Sequence, residues 1–195
     1  MKYLILCLSI LWLSACSTTV ERVDSTETID LSGAWNDTDS QLTAKTMIDD
    51  VLSRAWIDQH VSKKGKAPAV IVGQVKNLTH EHINTQTFVN DIERELINSG
   101  RVFFVASSVE RKEVREERID QDLNASDDTR NVAGQELGAD YMLKGQINTI
   151  VDANGSDQVR YYQVDLTLIS LADNRKVWVG QEKIKKLVKN AKLRL

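Results

Sequence analysis

The chain has 195 residues, of which 42% are hydrophobic and 27% charged, and its formal net charge is −3. This composition is too apolar for a wholly disordered chain, and the length suits one compact domain with a tail. The mild negative charge argues against a general nucleic-acid binder, so we expect no nucleic acid among the partners.

The amino terminus has the layout of a bacterial lipoprotein signal. A basic start, an apolar run and a small pair before a cysteine follow one another: Met1-Lys2, 3–13, Ser14-Ala15 and Cys16. The run is too short to span a bilayer as a stable helix. The pattern resembles the lipobox, which implies cleavage between Ala15 and Cys16 and attachment of acyl chains to Cys16 that hold it in a membrane. The alternatives are an ordinary signal peptide cleaved nearby, or a core strand.

Only two cysteines occur, Cys7 and Cys16. Cys7 would leave with the signal peptide at 1–15, and Cys16 would be lipidated. The mature domain would then have no free thiol, which excludes disulfides, thiolate metal sites and cysteine nucleophiles. Residues 16–30 are polar with single aliphatics, and we predict a lipidated cysteine followed by a short flexible tether.

Residues 31–181 are predicted to form a globular α/β domain, whose first half alternates helices and strands. Apolar residues at spacings of three and four over 44–55 predict a helix, capped by Asp37, Thr38 or Asp39. Strands are expected at 69–75 and 101–106, both buried. Between them, Asn84 is placed to cap a helix that ends at Gly100.

The middle of the domain is predicted to be helical. Ser107 and Glu110 fit a capping box that opens a third helix, extending to about Ile119. A polar loop at 120–126 leads to a short helix that starts at Asp127 or Asp128 and ends at Gly138. The inward residues of this short helix would be Val132, Ala133 and Leu137.

The last third is predicted to be rich in strands. Apolar and polar residues alternate over 141–148 and 161–168, and Asp173-Asn174 forms a tight turn into 176–180. We infer two β-α units followed by an antiparallel meander. The fold class is therefore α/β (α+β), with a single mixed β-sheet covered by helices.

The carboxyl-terminal segment 182–195 carries six basic residues against one acid, and its apolar residues fall at helical spacing: Ile184, Leu187, Val188, Ala191 and Leu195. This pattern indicates a basic amphipathic tail for an acidic partner or an anionic lipid surface. Its candidate partner-binding residues are Lys183, Lys185, Lys186 and Lys189. The alternatives are a terminal helix docked on its own domain, or a frayed end.

Catalytic motifs are scarce. His80 and His82 would share a face if their segment were extended, which could offer two metal ligands, but no HExxH spacing accompanies them. No GxSxG, GxxxxGK[ST] or GxGxxG motif occurs either. We therefore expect no catalytic residues, no metal and no cofactor.

Five stretches together resemble the LpoB-type penicillin-binding-protein activators, outer-membrane lipoproteins that stimulate peptidoglycan synthases. They are 13–16, 30–39, 69–73, 134–141 and 176–180. The resemblance implies a fold like the amino-terminal domain of TolB. It also implies docking on a small non-catalytic domain of a bifunctional penicillin-binding protein, which raises glycan polymerisation. The family's tether is long and proline-rich, whereas the tether here is short and lacks proline.

The main hypothesis is therefore a non-enzymatic activator, anchored by lipid to the periplasmic face of the outer membrane. A second hypothesis is a structural envelope lipoprotein that binds peptidoglycan or another assembly without activating it. A third is a metal-dependent hydrolase that uses His80 and His82.

Overall fold

A computed structural model describes residues 19–25 and 27–189. The predicted signal peptide at 1–15, the predicted lipidation site Cys16 and the last six residues, 190–195, lie outside the described residues. The elements in chain order are α1 (Asp37–Ser53), α2 (Trp56–Lys64), β1 (Ala69–Asn77), α3 (Thr85–Asn98), β2 (Phe103–Phe104), α4 (Ser108–Asn124), β3 (Tyr141–Asn154), β4 (Asp157–Ser170) and β5 (Lys176–Lys189).

The strands form one mixed sheet in the order β2-β1-β3-β4-β5. β1 runs parallel to both β2 and β3, while β3, β4 and β5 form an antiparallel meander. Tight turns join the meander, and they use positive φ angles at Gly155 (61°) and Asn174 (59°). The predicted mixed sheet, with two β-α units before a meander, is confirmed.

Side chains of the preceding residues fix where the helices start. Ser107 and Glu110 form the predicted capping box of α4, and Asn84 accepts a hydrogen bond from the Gln86 amide at the start of α3. The cap of α1 is Asn36, one residue before the predicted candidates, and it forms a capping box with Asp39.

The hydrophobic core lies between one face of the sheet, here called the inner face, and the helices α1, α2 and α3. Its fully buried side chains are Tyr162, Phe88, Ile48, Ile92, Leu96, Leu143, Ile147, Leu166, Leu168, Val51, Val70 and Val164. Burying each aliphatic side chain of this size is worth roughly 1.5–3 kcal/mol. On the opposite, outer face, the buried apolar residues of the described chain form one small cluster, Ala69, Ile71 and Val105.

Two predictions about the middle of the chain are wrong. The strand expected at 101–106 has only two residues, and Phe103 is 52% exposed, because β2 is a short edge strand paired on one side. The short helix expected at 127–138 is turns and coil, with Val132 and Leu137 exposed. Gly134 has a φ of +86° there, which a right-handed helix does not accept. α4 instead continues to Asn124.

The helical interpretation of the carboxyl-terminal segment is also wrong. Residues 182–189 are the second half of β5, and the ladder with β4 continues from Val164↔Glu182 to Asp157↔Lys189. Ile184 and Val188 satisfy a spacing of two as well as a spacing of four, so both point to the inner face of a strand. The predicted boundary at 181/182 therefore falls inside a continuous strand. Ala191 and Leu195 of the predicted stripe lie outside the described residues.

Candidate docking surface

The long meander extends beyond the helices and forms a distal arm, defined as residues 148–163 of β3 and β4 with 183–189 of β5. The strand register shows which side chains share its outer face. Ile150, Tyr161 and Lys185 lie in one row across the strands, and Val159 and Leu187 lie in the next. Ile150 is 65% exposed and Leu187 59% exposed. An apolar group of this kind on a free surface is typical of an interaction site.

Three of the four predicted partner-binding lysines border this apolar group along β5. Lys183, Lys185 and Lys189 occupy alternate positions of β5, are exposed and point to the outer face. Lys185 Nζ lies 6.0 Å from the centre of the Tyr161 ring, at the limit for a cation–π contact. The arm thus combines an apolar centre with a row of lysines along its β5 edge, which fits an acidic protein partner.

Lys186 is different, because it points to the inner face and serves the fold. Its ammonium lies 2.6 Å from Asp30 Oδ1 and 2.7 Å from Asp39 Oδ2, and its side chain is 11% exposed. Burial opposes the charge, but the hydrogen bonds and charges of the two carboxylates outweigh it and raise the pKa of Lys186. Lys186 was predicted to contact a partner, but here its ammonium is half-buried and already paired with two carboxylates.

Residues 29–36 form a strap that attaches the tether end of the domain to the inner face of the distal arm. Besides the Lys186 contacts, Gly33 lies against β5, where an added Cβ would come within 2.3 Å of Val188 Cγ2. Trp35 packs edge-on against Phe88 and Tyr162, with ring centres 6.3 Å and 5.6 Å away. The tether therefore leaves the domain beside the distal arm.

Glu81 joins the strap, the loop before α3 and β4. Its carboxylate accepts hydrogen bonds from Tyr162 Oη (2.7 Å), Arg160 (2.9 Å) and the Trp35 amide (3.2 Å). Burial, followed by the hydrogen bond and charge of Glu81, raises the pKa of the Tyr162 hydroxyl. Sequence reasoning missed Glu81, since its partners lie 46 or more residues away and no local pattern indicates them.

The predicted metal-ligand candidates flank this carboxylate, and both His80 and His82 are exposed. Across residues 19–25 and 27–189, no group of three or more histidine, cysteine, aspartate or glutamate side chains is arranged to hold a metal ion. The same residues include no helix long and apolar enough to cross a bilayer.

The buried histidine is His60, on α2. Its Nδ1 lies 3.0 Å from Tyr141 Oη, and its Nε2 lies 3.6 Å from Asp140 Oδ2. Asp140 also accepts the Ala69 amide, which ties the start of β1 to β3. We interpret this cluster as a link between α2 and the sheet.

Comparison with known proteins gives one family and several structures. The family model "Peptidoglycan-synthase activator LpoB" matches residues 39–184. The LpoB C-terminal domain from Escherichia coli is 15% identical, with a TM-score of 0.47, over 76% of this chain and 99% of that one. The NMR structure of E. coli LpoB is 14% identical, with a TM-score of 0.42, over 91% and 84%.

Lipoprotein GNA1162 from Neisseria meningitidis is 15% identical, with a TM-score of 0.40, over 66% of this chain and 88% of that one. A search of curated proteins found no match. The family match spans α1 to the second half of β5, which is nearly the whole folded domain. The chain therefore belongs to the LpoB family of peptidoglycan-synthase activators.

Proposed function

We propose that this protein is an outer-membrane lipoprotein that activates a bifunctional penicillin-binding protein by direct contact in the periplasm, without catalysing a reaction itself. Its membership of a family named for synthase activation carries the proposal. The lipobox-like sequence before Cys16 supports the anchor. Activation by contact requires higher affinity for the synthase's active state than for its resting state, since a ligand shifts an equilibrium only by that difference.

The anchor sets where contact takes place. Thirteen residues separate Cys16 from Asp30, the first strap residue held by Lys186, and this stretch spans at most about 50 Å when fully extended. The domain therefore stays close to its membrane, and the synthase must present its contact region there. The strap packs against the distal arm, so the tether joins the domain beside the arm.

We expect mass analysis of the protein extracted from membranes to find residue 16 as the first residue, carrying acyl chains. Cys16→Ser should abolish acylation and release the protein from the outer-membrane fraction, because no other lipidation site is predicted. Recovery of wild-type protein with an unmodified Cys16 would contradict the proposed anchor.

We infer that the synthase docks on the outer face of the distal arm. The triple variant Lys183→Glu, Lys185→Glu, Lys189→Glu should therefore lose most of its stimulation of glycan polymerisation. We expect stimulation to fall at least tenfold, since three charge reversals change attraction into repulsion at an acidic interface. The loss of binding free energy would be about 1.4 kcal/mol or more in total. The measurement is the polymerisation rate of purified synthases with detergent-solubilised, full-length lipoprotein.

A matched control reverses three exposed lysines at the end of α2 and in the turn that follows: Lys63→Glu, Lys64→Glu and Lys66→Glu. This control should stimulate as the wild type does. Undiminished stimulation by the arm variant would show that the partner binds elsewhere. If the wild type stimulates no synthase from the same cell, the proposed function is wrong.

A further inference from the structure

The outer face of the sheet contains a second feature, which adjoins the distal arm. A groove of about 440 Å³ crosses β1, β3, β4 and the start of β5. Three exposed lysines surround it: Lys76, Lys144 and Lys176. Its other polar lining residues are Gln74, Gln146, Asp165 and Thr167. We call this feature the lysine groove.

The three ammonium groups have no anionic partner among the described residues. The register places Lys76 beside Gln146 and Lys144 beside Thr167, on strands that lie about 4.8 Å apart, so these like charges are near one another. The acid in the groove, Asp165, is already held by amides of Gln163 (3.0 Å) and Gln181 (2.8 Å). The groove therefore keeps an excess of positive charge, three lysines against one carboxylate, and no ion pair joins Asp165 to any of the three.

The uncharged side chains that line the groove indicate which class of ligand it can bind. The amides of Gln74 and Gln146 make no hydrogen bond within the described part of the chain, so they are free for a ligand. Ile169 is the one large apolar side chain in the lining. Binding sites for protein partners usually have apolar and aromatic side chains at their centre. The distal arm has such side chains, and the groove lacks them.

We propose that the lysine groove binds a peptidoglycan strand, an amino-sugar polymer that carries carboxylates together with many hydroxyl and amide groups. The lysines would pair with the carboxylates, and the amides and Thr167 would bond the neutral polar groups. This inference rests on the proposed function, because the strand would be the product of the enzyme that the protein activates. The activator would then hold its synthase next to existing cell wall.

The test is sedimentation of detergent-solubilised, full-length lipoprotein with purified sacculi in the absence of synthase. We expect the variant Lys76→Gln, Lys144→Gln, Lys176→Gln to bind at least tenfold more weakly than the wild type. The variant Lys63→Gln, Lys64→Gln, Lys66→Gln removes the same charge elsewhere and should bind as the wild type does. Raised salt should weaken wild-type binding, since the contacts are ionic.

Two soluble competitors identify the ligand class. Peptidoglycan fragments should displace the protein from sacculi, while poly-L-glutamate at equal carboxylate concentration should displace it at least tenfold less. Equal displacement by poly-L-glutamate would overturn the proposal, because the groove would then be a site for acidic polypeptides. Equal sedimentation of the groove variant and the wild type would overturn it as well.

The polymerisation assay separates this inference from the proposed function. The groove variant should still stimulate a synthase that acts on soluble substrate, because its distal arm is unchanged. Sacculus binding that is lost with the groove lysines supports the inference even if no synthase responds. A protein that stimulates synthases yet never sediments with sacculi overturns the inference and leaves the proposed function intact.

Discussion

Replacing Gly145 with alanine is expected to lower the free energy of unfolding by about 3 kcal/mol, the upper part of the usual range for overpacking. Gly145 lies in the middle of β3, between Val75 of β1 and Leu166 of β4. An added Cβ would lie 2.3 Å from Leu166 Cδ2 and 2.4 Å from the Asp165 carbonyl oxygen. Leu166 is fully buried, and the carbonyl belongs to a central strand. Displacing either atom would therefore disturb close packing and cost free energy.

The measurement is the midpoint of denaturant unfolding, supported by a thermal midpoint that should fall by about 6–12 °C for a domain of this size. Gly138→Ala is the control, because an added Cβ there meets no atom within 4 Å and the backbone has no positive φ. Equal midpoints for Gly145→Ala and Gly138→Ala would contradict the close approach of β3 and β4.

The elements that sequence patterns predicted correctly are those fixed by local chemistry. The capping box at Ser107 and the cap at Asn84 depend on residues two or three positions away, and both are present. The strands of the meander were found from their alternation, although each extends further than the pattern indicated. At the end of β3 the alternation is lost, because residues 150–154 are exposed on both faces of the sheet.

The wrong predictions have two causes. Either the apolar spacing fitted both a helix and a strand, or the predicted element had no core surface to pack against. The second half of β5 fits a helical stripe on sequence alone, and only its long pairing with β4 makes it a strand. The segment 127–138 has apolar residues at helical spacing, but Val132 and Leu137 find no core surface. Helices of that length depend on tertiary packing for their stability.

The candidate sites were predictable only in part. A run of positive charge pointed to the lysines of β5, yet only the strand register separates Lys186, on the inner face, from the exposed residues on either side of it. The lysine groove has no local signal at all, since Lys76, Lys144 and Lys176 come from three strands far apart in sequence. Glu81 was missed for the same reason, since its side-chain partners are also distant in sequence.

Glu81→Ala is expected to destabilise the domain by about 1.5–3 kcal/mol, the usual contribution of hydrogen bonds to a charged group, because the Glu81–Arg160 pair is half-buried. Tyr162 is fully buried, and its hydroxyl would lose both carboxylate contacts and keep only the long contact with the Gly33 carbonyl oxygen at 3.4 Å. Arg160 and the Trp35 amide would lose the same acceptor, which also loosens the strap.

The neighbours of Glu81 supply the controls. His80→Ala and His82→Ala should each change the free energy of unfolding by less than about 0.5 kcal/mol, as exposed surface residues do. Glu81→Gln should fall between the two cases, since its amide oxygen still accepts from Tyr162 while the charge facing Arg160 is lost. Denaturant unfolding at neutral pH measures all four variants, and an unchanged midpoint for Glu81→Ala would show that the network contributes little.

The dependence of stability on alkaline pH tests the same network independently, through the Tyr162 hydroxyl. Burial and Glu81 raise the pKa of Tyr162 above its ordinary value of 10.0, so the folded protein holds this proton more tightly than the unfolded chain does. The associated stability is complete below about pH 10 and is lost as the pH rises further, because the unfolded chain then releases the proton first. Tyr162→Phe should therefore show a shallower loss of stability than the wild type between about pH 10 and 11. Identical slopes would mean that the hydroxyl ionises in the folded state as readily as in the unfolded chain, which its burial against a carboxylate should prevent.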